Sequence, residues 1–238
     1  MILSRGKETV LVIPDIQAPF QHKHTLDFLV ALRDAVNPTK VVCIGDSMDA
    51  NALSRWALDP NGMSPLDEYL VAIDFLKKLY DEFPKAQEVI SNHNERIIKR
   101  VTGAGVPSIF VRSYEEIMHY PPGWSIHPYI EIDEVIYEHG HSQGGEHAAK
   151  NLAKHNGKST VIGHHHSAAG INFFANRQKM LFGMNVGCLL DISSYAFSYA
   201  KDSKFKPTMG AGIVDRGVPK FVPMLQDSYG NWTGELIL

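Results

Sequence analysis

Short apolar runs alternate with amphipathic segments along the first half of the chain. Runs rich in Val and Ile are typical of buried strands, and apolar positions that recur every three or four residues are typical of helices. The predicted elements are, in order, strand 9–14, helix 24–36, strand 40–44, helix 65–83, strand 88–90 and helix 96–101. Ser64 and Pro65 provide a start signal for the long helix, and Pro84 provides its stop signal.

The second half is richer in strand-like segments and begins after a turn at 121–123. The predicted elements are strand 131–138, helix 145–155 and strands 159–162, 170–174, 179–186, 211–214 and 220–224. Alternating strands and helices followed by strands predict an α/β sandwich around mixed sheets. No internal repeat or interdomain linker interrupts the chain, so we expect one domain over residues 1–238.

Polar residues with metal-binding side chains follow five of these strands. The clusters are Asp15-Ile16-Gln17, Gly45-Asp46-Ser47-Met48-Asp49, Asn92-His93-Asn94-Glu95, His139-Gly140-His141 and Gly163-His164-His165-His166. One such cluster is explained equally well by a helix cap or a turn. Five in order are not, and ligands of α/β sheets commonly lie outside the carboxyl ends of strands. The clusters therefore predict one polar site that holds metal ions.

The residue types at these positions restrict the chemistry. Carboxylates, amide oxygens and imidazoles together suit divalent ions such as Mn²⁺, Fe²⁺, Zn²⁺ or Ni²⁺. No cysteine belongs to a cluster, which argues against a structural zinc site. A carboxylate such as Asp46 can bridge two ions. Two ions about 3.5–4 Å apart can clamp a phosphoryl group and activate water for in-line attack.

Composition adds exclusions rather than a function. The formal net charge of −3 gives no global attraction to nucleic acid or an anionic membrane, although a local basic patch can still bind phosphate. No apolar stretch reaches about 18 residues, so no membrane-spanning helix is expected. The first residues carry no signal-peptide core, and the two cysteines, Cys43 and Cys188, are a poor disulfide framework. We therefore expect a cytoplasmic protein without a membrane partner.

The order of the five clusters resembles the calcineurin-like metallophosphoesterase superfamily. The family pattern is Asp-x-His, Gly-Asp-x-x-Asp, Gly-Asn-His-Asp/Glu, a His after a strand, and Gly-His-x-His. Counterparts of all five lie between residues 15 and 166. The resemblance implies an α/β/β/α sandwich of two mixed sheets flanked by helices. It also implies a phosphoester hydrolase with two divalent ions and a hydroxide that bridges them. Mn²⁺ is the favoured ion, with Fe, Zn, Ni and Mg as alternatives.

The resemblance also implies a role for each matching residue. The implied metal ligands are Asp15, Gln17, Asp46, Asn92, His139, His164 and His166. Asp46 would bridge both ions, and His93 would stay off the metals. His93 would protonate the leaving oxygen or stabilise its charge, and Asp49 would orient the His93 ring. Arg96 is a candidate contact to the substrate phosphate, although a solvated helix position explains it equally well.

Three positions depart from the family pattern. Gln17 replaces a His, and an amide oxygen is a weaker donor, so we expect a weaker first site or one that prefers Mn²⁺ or Mg²⁺. A plain hydrogen-bonding role explains Gln17 equally well. Ser91 and Asn94 depart from the third motif. In addition, Ala50 stands where protein phosphatases carry an arginine, which favours phosphodiesters or nucleotides over phosphoproteins.

Several alternatives stay open from the sequence. His139 and His141 compete for one ligand position, and His139 is preferred because a strand followed by His-Gly resembles the family pattern. The first hypothesis for function is a phosphodiesterase that acts on nucleic acid or nucleotides. The alternatives are a phosphomonoesterase, including a protein phosphatase, and a scaffold of the same fold without catalysis. Trp56 and residues 57–64, beside the second motif, are predicted to form a lid that shapes the substrate site.

Overall fold

Two β-sheets form the centre of the protein in a computed structural model that describes residues 6–55, 59–191, 193–194, 204 and 206–238. The strands of the described chain are β1 Thr9–Ile13, β2 Lys40–Cys43, β3 Ala86–Val89, β4 Trp124–His127, β5 Ile130–Ile132, β6 Val135–Tyr137, β7 Ser159–Ile162, β8 Gly170–Ala175, β9 Met180–Asn185, β10 Gly210–Asp215 and β11 Val218–Pro223. Its α-helices are α1 Thr25–Val36, α2 Pro65–Glu82, α3 Asn92–Gly103, α4 Tyr114–Ile117 and α5 Ala148–Asn156. Part of the predicted lid, residues 56–58, lies outside the described residues.

Both sheets are mixed. The first has the strand order β11-β10-β1-β2-β3-β4, with β1 to β4 parallel and β10 antiparallel to β1. The second has the order β5-β6-β7-β9-β8, with β6, β7 and β9 parallel. Parallel neighbours present their carboxyl ends at the same edge of a sheet. The clusters that follow β1, β2 and β3 are therefore brought together, as are those that follow β6 and β7.

The side-chain alternation of β1 explains the layers. Leu11 and Ile13 face an outer core with α1 and α2, whereas Val10 and Val12 face an inner core shared with the second sheet. Successive strand residues point to opposite faces, so a strand that is apolar throughout is covered on both sides. Helix α5 packs on β7 and β9 at the outer face of the second sheet. The predicted fold class, two mixed sheets flanked by helices, is confirmed.

Local signals decide how two of the helices begin. Helix α2 starts at Pro65, and the Ser64 side chain accepts a hydrogen bond from Asp67 N–H, as the sequence predicts. Helix α3 starts at Asn92, four residues before the predicted start. Ser91 is its N-cap, and the Asn94 side chain accepts a hydrogen bond from the Ser91 N–H. The third motif is therefore the first turn of a helix.

The prediction of one strand over residues 131–138 is wrong. This segment belongs to a hairpin of β5 and β6, with Asp133 and Glu134 at the turn, where φ is 51° and 62°. Two positive φ angles are typical of a tight hairpin turn, but Gly is the usual residue at the second position, where Glu134 lies. Helix α4 and strand β4 were not predicted. No helix in the described part of the chain is long and apolar enough to cross a bilayer.

Candidate metal centre

The polar clusters meet where the two sheets face each other. Asp15, Asp46 and Asn92 follow β1, β2 and β3 of the first sheet, whereas His139 and His164 follow β6 and β7 of the second. A hydrogen bond of 2.8 Å from the His164 N–H to Asp15 Oδ2 joins the two sets. The site is therefore built at the junction of both sheets.

One group of ligand atoms consists of Asp46, His139 and His164, whose donor atoms all lie within 4.8 Å of one another. Asn92 Oδ1 lies 2.9 Å from His139 Nε2 and belongs to the same place. His139 Nδ1 lies 2.9 Å from the Ile44 carbonyl, which can only accept. A proton on Nδ1 leaves the Nε2 lone pair facing the group, which is the usual orientation of a metal-binding histidine.

A second group consists of Asp15, Asp46 and His166, within the same 4.8 Å limit. His166 Nε2 lies 3.0 Å from Asp15 Oδ2. Asp46 belongs to both groups and is almost fully buried. The two groups therefore share one carboxylate, which is the arrangement needed to hold two cations side by side.

Unpaired oxygens test whether a cation fits this site. Asp15 Oδ1 and Gln17 Oε1 are buried and have no hydrogen-bond partner among the described residues. The amide nitrogen of Gln17 donates to Asp46 Oδ2 at 3.3 Å. A buried oxygen without a partner costs about 1–3 kcal/mol, more when it is charged. A cation bound between these residues would satisfy both oxygens, so the donor set fits a metal ion.

Three of the nine non-glycine residues with positive φ in the described chain lie at the candidate site. Gln17, Asp46 and His164 have φ angles of 50°, 50° and 64°. This left-handed region is uncommon for residues other than glycine and costs on the order of 1 kcal/mol or more at each position. Strain of this kind persists only where the surrounding structure enforces it. Here it turns three side chains toward one point.

Two glycines make room for the site. Gly45 has φ 97°, and a Cβ there would lie 2.8 Å from Ser91 Cβ and 3.0 Å from His139 Nδ1. A Cβ at Gly163 would lie 2.1 Å from Asp15 Oδ1. Each glycine therefore allows a ligand from another strand to approach the backbone closely.

The charges of the site are strongly coupled. Burial opposes the charge of Asp46, but His139 and His93 outweigh burial and hold the pKa of the Asp46 carboxyl well below its usual range. Burial also acts against a charge on His139, yet Asp46 and Asp15 raise the pKa of His139 to about 9. Burial and the charge on His139 lower the pKa of His164 to about 3. Without an ion, a proton on His139 therefore holds the place where a cation would bind.

His93 lies beside the ligand groups, with Nε2 3.7 Å from Asp46 Oδ2. Its Nδ1 lies 2.6 Å from the backbone carbonyl of Asp49, whereas the Asp49 carboxylate lies 3.5 Å away. The backbone of Asp49 therefore makes the short contact, and the carboxylate lies 3.3 Å from Arg96 Nη1. Burial raises the pKa of the Asp49 carboxyl, and the charges of His93 and Arg96 partly offset that rise.

Two histidines near the clusters lie outside the ligand groups. His141 is exposed, with its ring 5.6 Å from that of His139. Of the two competing residues, His139 is the one in a ligand group. His165 Nε2 lies 2.7 Å from the Gln143 carbonyl, and its ring is not part of either group.

A buried carboxylate, Glu88, supports the site and was missed from the sequence. Glu88 Oε1 accepts hydrogen bonds from Ser47 Oγ at 2.8 Å and Asn94 Nδ2 at 3.3 Å, and Tyr120 donates to Oε2. Burial raises the pKa of Glu88 despite these donors. The signal that could have indicated this role was an acidic residue within the predicted strand 88–90.

The two departures in the third motif have structural roles. Ser91 Oγ accepts hydrogen bonds of 3.1 Å from the N–H groups of both Asp46 and Asn94. Asn94 is buried and joins the start of α3 to Glu88. Ser91 and Asn94 therefore attach the third motif to the second.

Comparisons with known proteins add little about function. No family model matches the chain. A protein of Mycobacterium phage D29 named Gene 54 protein is 25% identical over 245 residues, covering 91% of this chain and 93% of that protein. The Gene 54 protein of Mycobacterium phage L5 is 25% identical over 210 residues, covering 77% of this chain and 80% of that protein.

One solved structure is similar along almost the whole chain. It is Vacuolar Protein Sorting 29 from Cryptosporidium parvum, with a TM-score of 0.45 and 16% sequence identity. The alignment covers 98% of this chain and 95% of that one. The argument for function therefore rests on the site itself.

Proposed function

We propose that this protein is a metal-dependent phosphoester hydrolase whose substrates are phosphodiesters of nucleic acids or nucleotides. The observation that carries the proposal is the position of Asp46 in both ligand groups. A shared carboxylate between two sets of Asp and His ligands suits a pair of divalent cations. The order of motifs, which resembles the metallophosphoesterases, agrees with this chemistry.

The chain provides a ligand set for each cation. Asp15, Gln17 and His166 would hold one ion, whereas Asn92, His139 and His164 would hold the other, with Asp46 between them. Mn²⁺ is the favoured ion because the set combines oxygen and imidazole donors. When bound, the cations supply Lewis acidity and a water of lowered pKa.

His93 is the residue that we propose acts on the leaving group. The Asp49 carbonyl fixes its Nδ1 edge, so Nε2 is the atom left to face a substrate at the ligand groups. A proton on Nε2 would pass to the leaving oxygen, or stay and stabilise its charge. Arg96, 3.0 Å from that nitrogen, would bind a phosphoryl oxygen.

The absence of an arginine at position 50 favours a diester over a phosphoprotein as the substrate. Ala50 occupies the position after the second motif where protein phosphatases carry their arginine, and it is buried. Arg96 instead reaches the site from α3 and donates to the Ala50 carbonyl at 3.1 Å. A phosphate contact made by Arg96 would therefore come from α3 rather than from the second motif.

Hydrolysis of two model substrates tests the proposal. Metal-stripped protein is assayed on bis-p-nitrophenyl phosphate and p-nitrophenyl phosphate, with and without Mn²⁺. We expect Mn²⁺-dependent cleavage with preference for the diester. Preference for the monoester would move the assignment to a phosphatase. Failure to cleave either substrate, together with no metal bound in equilibrium dialysis, would move it to a scaffold.

A further inference from the structure

A basic cavity of about 440 Å³ opens beside the metal centre. Its lining residues are Leu53, Ser54, Arg55, Asn92, Arg96, Lys99 and Arg100. Four of these carry a positive charge and none is acidic, although the whole chain has a net charge of −3. A concave surface of one sign concentrates counter-ions. The chemistry of this cavity therefore suits an anionic ligand.

The cavity and the metal centre share a wall. Asn92 lines the cavity, and its Oδ1 lies 2.9 Å from His139 Nε2. Arg96 also lines the cavity, and its Nη2 lies 3.0 Å from His93 Nε2. A molecule with one phosphate at the metal ligands would therefore extend directly into the cavity.

Two of the arginines are held in place by hydrogen bonds to backbone carbonyls. Arg100 Nε donates to the Leu53 carbonyl at 2.6 Å, and its Nη2 donates to the Ser54 carbonyl. Arg96 Nη1 donates to the carbonyls of Asp49 and Ala50 at 3.0 and 3.1 Å. Carbonyls fix a guanidinium without cancelling its charge, and Arg96 in addition contacts the Asp49 carboxylate at 3.3 Å. These long side chains therefore lose their conformational entropy during folding rather than during ligand binding.

Glu68 and the arginines fix the turn that forms one side of the cavity. Glu68 is buried on α2, and its carboxylate accepts hydrogen bonds from the N–H groups of Asn51 and Ala52 at 2.6 and 2.7 Å. The turn from Asn51 to Leu53 is therefore held from α2 on one side and from α3 on the other. The cavity is a preformed feature of the fold.

We propose that this cavity is a subsite for a second phosphate and that the substrate is a strand of nucleic acid. The inference rests on the proposed function, because it places the first phosphate at the metal ligands. Arg55, Lys99 and Arg100 would bind the phosphate of the neighbouring nucleotide. The volume is sufficient for a sugar and base beside that phosphate. A substrate with a single phosphate at the metal ligands would make no phosphate contact with these three residues.

Dinucleotides that differ by one phosphate test this subsite. The Mn²⁺-loaded protein is assayed on thymidylyl-thymidine without a terminal phosphate, with a 5′-phosphate and with a 3′-phosphate. We expect one phosphorylated form to have a kcat/KM about tenfold higher at 50 mM salt, with a smaller advantage at 200 mM salt. Equal kcat/KM values for all three would overturn the subsite. If the protein cleaves neither the dinucleotides nor bis-p-nitrophenyl phosphate, the proposed function itself has failed.

A matched pair of lysines gives the variant test. Lys99 pairs with Glu95 at 2.5 Å, and Lys78 on α2 pairs with Asp74 at 2.6 Å with the same four-residue spacing. Lys99→Gln should reduce the preference for the phosphorylated dinucleotide at least about threefold. Lys78→Gln should retain it. Arg55→Gln is the second variant, and a preference unchanged in both cavity variants would refute the assignment.

Binding to metal-stripped protein separates a strand from a free polyphosphate. The probe is a fluorescein-labelled oligothymidylate of twelve nucleotides, followed by anisotropy. We expect the affinity of the unchanged protein for this probe to fall about tenfold or more from 50 to 200 mM salt. At 50 mM salt, the affinity of Lys99→Gln should be lower than that of the unchanged protein. Unlabelled oligothymidylate should compete better than inorganic pyrophosphate at equal phosphate concentration. Equal competition would overturn the assignment to a strand.

Discussion

Arg96 Nη2 lies 3.0 Å from Nε2 of His93. The Asp49 carbonyl lies 2.6 Å from the other ring nitrogen, Nδ1. A guanidinium offers donors only, so Nε2 cannot donate to a leaving oxygen while it accepts from Arg96. Arg96 must therefore turn from Nε2 before His93 can act as an acid. A phosphoryl oxygen that attracts Arg96 would make this change part of substrate binding.

Replacement of His93 should separate catalysis from metal binding. His93→Ala removes the group next to the leaving oxygen but none of the proposed ligands. We expect turnover on bis-p-nitrophenyl phosphate to fall about a hundredfold or more, with Mn²⁺ stoichiometry unchanged. His155→Ala, an exposed position on α5, is the control. Equal loss of metal and activity in His93→Ala would show that His93 is a ligand.

Asp46→Asn should weaken both metal sites. The substitution keeps the size of the side chain but removes the charge that belongs to both ligand groups. We expect the affinity for each ion to fall more than about tenfold, measured by equilibrium dialysis. Asp74→Asn, an exposed position on α2, should leave both affinities unchanged. If Asp46→Asn lowers the affinity for only one of the two ions, a bridging role of Asp46 is excluded.

Gln17→His should tighten the first site. Imidazole is a stronger donor than an amide oxygen for these ions, and His tolerates the φ of 50° at this position. We expect affinity for one ion to rise about tenfold in Mn²⁺ or Zn²⁺ titrations. Gln17→Leu, which removes the oxygen, should lower it. Affinities unchanged in both variants would assign Gln17 to hydrogen bonding alone.

Gly163→Ala should move the Asp15 carboxylate. The new Cβ would lie 2.1 Å from Asp15 Oδ1 and 2.6 Å from Ile44 Cγ2, so one of them must shift. We expect a loss of about 1–3 kcal/mol in the free energy of unfolding and weaker binding of the first ion. Gly144→Ala is the control, since nothing lies within 4 Å of a Cβ there. A variant with normal metal affinity would show that Asp15 is not held by this contact.

The stability of metal-stripped protein should fall at alkaline pH. The pKa of His139 is about 9 in the fold against 6.5 as its ordinary value. A raised pKa contributes stability that is complete below pH 6.5 and lost as the pH rises through 9. We expect a loss of roughly 2–3 kcal/mol over this window in urea unfolding. His139→Gln should remove the dependence, and a stability that rises with pH would contradict the prediction.

Local chemistry made much of the fold predictable. The Ser64 cap and Pro65 defined the start of α2, and apolar runs defined β1, β2 and β7 within a residue or two. The hairpin of β5 and β6 was missed because Glu134 occupies the second turn position, where Gly is the usual residue. The start of α3 was predicted four residues too late. Asn94, which completes the helix cap, was interpreted only as a departure from the Asp or Glu of the third motif.

The ligand clusters could be predicted from the sequence because each follows a strand. The residues that hold these clusters in place could not be predicted. The Asp49 carbonyl that contacts His93 is a backbone atom, and no residue type signals it. The contact of Glu88 with Ser47 spans 41 residues, and its contact with Tyr120 spans 32. Such partners are set by sheet order rather than by spacing along the chain.

The hydrogen bond between Asp15 and His164 joins residues 149 positions apart in the chain. During synthesis, the Asp15 carboxylate therefore lacks its contacts to His164 and His166 until β7 and the loop after it have left the ribosome. A fragment that ends before residue 163 contains Asp15, Asp46 and Asn92 but lacks the imidazoles His164 and His166. Closure of the centre is thus a late event of folding, and tight ion retention marks a chain whose two halves have docked.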